Sequence, residues 1–262
     1  MLLAPLVIVP RVLGLLPPRG WVPRLAGWPA LIAALALLAS FVLPAGALAA
    51  ALAAPWMVLC GAAALAAVAH GVPRLPRLLH PGRAADLGVD VSLGFLAVGA
   101  AFATMDRLGV TPMGFSQTIV LLTATHFHFA GFGLLGSATL FAAKRPTLRA
   151  PVIGLIVGMP ITALGFIMPS QVLGAIGALF VGLSGIAFAV SLLVDAGEGA
   201  NRWGYRVAAA ALLVGMPMGI AWSLAMLFQI GFLDVDAMIR THGALNATAV
   251  LIVTVAYREV AR

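Results

Sequence analysis

The chain has 262 residues, of which 63% are hydrophobic and only 9% charged. An ordinary soluble domain carries about 25% charged residues, so this composition excludes one and points to a bilayer. The net charge of +7 does not indicate nucleic acid, because the arginines punctuate apolar runs and form no aromatic-interleaved basic stripe. A single cysteine, Cys60, excludes a disulfide scaffold.

Residues 1–24 open with an apolar stretch interrupted by Arg11, and carry neither a basic leader nor a small-residue cleavage site. They read as an interfacial or re-entrant segment, not as a cleavable signal. Apolar runs follow at about 25–45, 49–70, 85–105, 117–143, 150–169, 171–195, 204–230 and 237–258. Each is near or above the roughly 20 residues that cross a hydrocarbon core. The expected fold is therefore an all-α polytopic bundle of about eight spans, with residues 25–262 forming one transmembrane domain. Pro55, Pro160 and Pro217 fall inside spans, where freed carbonyls need partners within the protein. Gly154-x-x-x-Gly158 and Gly215-x-x-x-Gly219 predict close helix approach.

Alternating the spans places thirteen of the fifteen Lys and Arg residues on one side and only Arg107 and Arg240 on the other. The positive-inside bias makes both termini cytoplasmic and the location a multi-pass one in a bacterial cytoplasmic membrane.

Polar groups inside spans are costly, so each asks for a reason. His126 and His128 lie in one span, near the midplane or in its outer half. His242 and Asn246 share a face of the last span at i,i+4. On a regular helix, residues i and i+2 lie about 200° apart, so His126 and His128 face different neighbours and cannot chelate one metal. No His-x-x-x-His or Glu-x-x-His face exists, so no metal site is expected. At the other leaflet Asp86 and Asp90 begin a span at i,i+4. Asp86 is accounted for as a helix-start acid. Asp90 lies a turn deeper and is a candidate acid. His70 and His80 sit at the same edge and need only a structural account.

The blocks Thr125-His-Phe-His-Phe-Ala-Gly-Phe132 and His242-Gly-x-x-Asn246-Ala, with the opening Leu-Ala-Pro-Leu-Val-Ile-Val-Pro, resemble the YndJ-like family of bacterial membrane proteins. That resemblance implies a multi-pass membrane protein and assigns no reaction. His-Phe-His-Phe is also similar to the His-Phe-His-Tyr of haem-copper oxidase subunit I, whose histidines serve different haems. This chain is too short for that core and has too few histidines for its copper site.

The first functional expectation is a protein that binds or transforms a lipophilic, isoprenoid- or lipid-like small molecule by acid–base chemistry. His126, His128, His242 and Asn246 would line its outer-half site, with Asp90 as the acid and no cofactor. The alternative is a haem b protein for electron transfer or gas sensing, with His126 or His128 paired to His242. A proton-linked transporter is the third.

Overall fold

The computed structural model describes residues 3–74, 80, 83–195, 201–231 and 233–257. The described residues are mostly helical and contain no strand. Seven helices are long and apolar enough to cross a membrane. They are α4 (Ala47–Arg74), α5 (Ala84–Leu108), α6 (Gln117–Ala142), α7 (Pro146–Ile167), α8 (Gln171–Val194), α9 (Arg202–Leu227) and α10 (Val235–Ala256). Two shorter apolar helices, α1 (Ala4–Leu15) and α3 (Trp28–Ser40), precede them, separated by the single turn α2 (Val22–Leu25).

Seven of the eight expected spans are therefore full-length helices, and the remaining one, 25–45, holds only the 13-residue α3. Such a helix rises about 20 Å, less than the roughly 30 Å of a hydrocarbon core. It starts late because Gly27 adopts φ +79°, a left-handed backbone conformation that favours glycine, with Pro29 at the helix entry. It stops where Phe41–Gly46 turn back into α4.

The chain divides into two compact units, Met1–Gly136 and Ser137–Arg262. In the first unit α4 and α5 lie antiparallel: the Gly46 amide donates to the Arg107 carbonyl at one end, and Gly71 backs onto Asp90 at the other. α6 returns along α5, with Gln117 bonded to Asp106 and Gly99 against His128. α1 contributes buried Ala4, Ile8, Val9, Val12 and Leu13 and contacts α3 and the middle of α6.

In the second unit α7 to α10 run as successive antiparallel neighbours whose seams are made of small residues. A Cβ at Gly158 would come within 2.7 Å of Phe180 Cβ, and one at Gly185 within 2.7 Å of Met216. Such close approach replaces the hydrophobic driving force that lipid does not supply. On α4 Val58 and Leu65 point outward, while Ala53, Trp56, Cys60 and Ala63 are buried.

Three stretches depart from α-helical geometry into wider π turns: Ala4–Ile8, Phe127–Leu134 and Ile239–Gly243. Each coincides with one of the three sequence blocks noted above. π turns are rare and occur mostly as single insertions near functional or specially packed positions.

Candidate functional site

His128 lies near the middle of α6 and is completely buried. Its Nδ1 lies 2.7 Å from the Ala124 carbonyl, which can only accept, so Nδ1 carries the proton. Nε2 is then the acceptor, and it receives the indole N–H of Trp56 at 2.9 Å. The two rings also stack, 5.8 Å apart and 23° from coplanar. Gly99 makes room for the imidazole, since a Cβ there would come within 2.7 Å of Nδ1. His128 thus joins α4, α5 and α6. His126, two residues earlier, is exposed and meets the edge of Phe127. The two histidines face different surroundings as expected, although the helix turns into π geometry at Phe127.

In the second unit the structure brings His242 and Asn246 together. His242 Nδ1 donates to the Gly215 carbonyl at 2.7 Å, and the Asn246 amide nitrogen lies 3.3 Å from His242 Nε2. Gly215 and Gly219 on α9 receive these two side chains: a Cβ at Gly219 would meet His242 Cε1 at 2.6 Å, and one at Gly215 would strike the Asn246 amide. The glycine pair and the His/Asn pair, both at i,i+4, are the two halves of one helix contact. Among the described residues, Asn246 Oδ1 is buried there without a hydrogen-bond partner.

Asp90 lies at the opposite end of α5 from Asp106, and about 14 Å of helix rise separates it from Gly99 and the His128 ring. It is not unpaired. Arg19 Nε donates to Oδ1 at 2.7 Å, and His70 Nδ1 stands 3.2 Å from Oδ2. Arg19 and Asp90 are 5% and 9% exposed, so this is a buried ion pair. Arg19 also reaches the Asp86 carbonyl and carboxylate at 3.4 Å, and Arg83 holds the other Asp86 oxygen at 3.1 Å. Because the carboxylate accepts, His70 Nδ1 is the donor and Nε2 is the remaining nitrogen of the ring.

Asp90 is the polar end of a lateral groove of about 180 Å³ between α4 and α5. α4 lines it with Ala64, Ala67, Val68, Gly71 and Val72, and α5 with Leu87, Asp90, Val91 and Gly94. Both sets follow the i, i+3, i+4, i+7 spacing of one helical face. Small residues on α4 keep the groove open. Its volume is below the roughly 300–1,000 Å³ of pockets that enclose whole small molecules, and suits a segment of a single chain.

Sequence reasoning missed Arg19, His70, Trp56 and Gly99. Arg19 and His70 read as charges at a membrane edge, and their partner Asp90 is 71 and 20 residues away. No short-range pattern marks such pairs. Both ring nitrogens of His128 are hydrogen-bonded, to Trp56 and to the Ala124 carbonyl. Among the described residues no group of three or more His, Cys, Asp or Glu could hold a metal ion.

The fold and these sites define a polytopic α-helical membrane protein with buried polar contacts between its helices. The chain belongs to the YndJ-like family, whose model matches residues 1–250. Comparison with curated proteins and with solved structures found no match.

Proposed function

We propose that this YndJ-like protein, in a bacterial cytoplasmic membrane, binds a lipophilic molecule in the α4–α5 groove and exchanges a proton with its polar end. The observation that carries this reading is the buried Asp90 carboxylate, held between Arg19 and His70 at the end of an apolar groove. Ionisable groups in such positions are costly and are kept mainly where they act. Arg19 occupies one carboxylate oxygen, which makes Asp90 a holder of charge more than a free acid. Asp90 orients through Nδ1 the ring of His70, which is not itself part of the groove lining, and Nε2 is the nitrogen that would exchange a proton with a hydroxyl-bearing head. His128, His242 and Asn246 keep their helices in register in this reading, and His126 lies on the outer surface of α6.

The test is photo-labelling of the purified protein in lipid nanodiscs with a diazirine-bearing long-chain fatty alcohol. Label is expected on peptides spanning residues 64–72 and 87–94, about tenfold reduced by the groove-filling Ala67→Phe and by His70→Gln. Labelling that is spread over all helices, or indifferent to Ala67→Phe, overturns the proposal. Protection of Cys60 from maleimide in each variant separates loss of binding from loss of fold.

A further inference from the structure

The second unit carries a separate cluster at the end where α6 finishes and α9 begins. Trp203, in the first turn of α9, is 62% exposed. Two guanidinium groups from the same helix face it: Arg202 Cζ lies 5.6 Å and Arg206 Cζ 5.2 Å from an indole ring centroid. The two arginines are i,i+4 neighbours of like charge, an arrangement that by itself destabilises a helix. Each guanidinium is positioned over the indole, and among the described residues neither pairs with a carboxylate, so their N–H groups can face an oxyanion.

Two residues on from Trp203, and so about 200° round the helix, Tyr205 anchors the other side of α9. Tyr205 packs its ring 5.7 Å from Phe141, which also meets Tyr257 at 5.2 Å. Asn201 and Tyr205 both bond the Ala256 carbonyl, at 2.6 and 3.4 Å. Lys144 lies over the Tyr257 ring at 5.9 Å in that same anchoring cluster. Below Trp203 the same side of α9 presents exposed Val207 and, further down, Val214. A cationic, indole-bearing rim thus continues into an apolar track running along a membrane-length helix.

We infer that this rim is a binding site for an anionic glycerophospholipid. Its phosphate is held by Arg202 and Arg206, its glycerol lies on Trp203, and one acyl chain follows Val207 and Val214. The charge of the rim favours an anion. The exposed indole and the apolar track favour one that carries a hydrocarbon chain over a free phosphate.

The experiment compares the full-length protein in nanodiscs of phosphatidylcholine alone and of phosphatidylcholine with phosphatidylglycerol. Bound lipid is read by native mass spectrometry after release from the disc. Wild type is expected to retain phosphatidylglycerol preferentially, and each of Arg202→Gln and Arg206→Gln to weaken that preference by about fivefold. Val207→Asn should lower retention with both arginines intact. Equal melting temperatures of wild type and Arg202→Gln/Arg206→Gln in pure phosphatidylcholine would show that the fold is unaffected. Equal retention of the two lipids by wild type, or an unchanged preference in the double variant, overturns the assignment. Full replacement of the lipid by inorganic phosphate overturns the lipid as the occupant.

Discussion

The indole N–H of Trp56 donates to Nε2 of His128 at 2.9 Å, across 72 residues of sequence and between two fully buried side chains. A tryptophan donor and a carbonyl acceptor bracket the ring, so one neutral tautomer satisfies every hydrogen-bonding atom of the imidazole. The pair is the polar rivet of the first unit.

Replacing either partner leaves the other buried and unsatisfied. Trp56→Phe and His128→Leu should each cost about 1–2 kcal/mol. The double variant should cost less than their sum, because the orphaned group goes with its partner. Thermal unfolding followed by maleimide capture of buried Cys60, the chain's single thiol, reads this directly. Strict additivity would show that the bond carries no coupling.

The glycines facing the histidines are limited by space. Gly99→Ala puts a methyl 2.7 Å from His128 Nδ1 and 3.2 Å from the Ala124 carbonyl, and Gly219→Ala puts one 2.6 Å from His242 Cε1. Both should destabilise by about 1–3 kcal/mol of overpacking, read as a lower melting temperature. Gly61→Ala, with nothing within 4 Å of the added methyl, is the matched control and should be neutral. A melting temperature for Gly99→Ala equal to that of Gly61→Ala would contradict the close approach.

Arg19 and Asp90 form a buried pair, and breaking such pairs from one side costs more than removing both charges. Arg19→Met or Asp90→Leu alone should destabilise by about 3–5 kcal/mol, whereas Arg19→Met/Asp90→Leu should recover most of that loss. Chemical denaturation in mixed micelles checks the order. A double variant worse than either single one would mean that the two charges contribute independently.

At the other end of the unit Asp106 is 1% exposed and accepts from Arg107 at 2.8 Å and Gln117 at 2.7 Å. Arg107 also reaches the carbonyls of Ser40 and Leu43 and lies over the Phe41 ring. One arginine therefore fastens the α3–α4 turn to α5. Arg107→Gln should loosen that turn, seen as faster hydrogen exchange in residues 40–46 with α7–α10 unchanged. Uniform acceleration over the whole chain would instead report global destabilisation.

The sequence determined the material of this protein. Long apolar runs with few charges admit only helices whose backbone groups are satisfied internally, so the all-α polytopic class and most helix limits follow from composition and punctuation. The pairing of His242 with Asn246 was legible too, since i,i+4 spacing places both on one face, and Gly215-x-x-x-Gly219 announced a close contact without naming what fills it. What only the tertiary structure decided is which helices meet. Trp56 with His128, and Arg19 and His70 with Asp90, are joined across 20 to 72 residues by helix packing, which no local periodicity encodes. The π turns belong to the same class, since no sequence periodicity marks them. The sequence showed that the buried polar residues needed partners, and packing decided which partners they received.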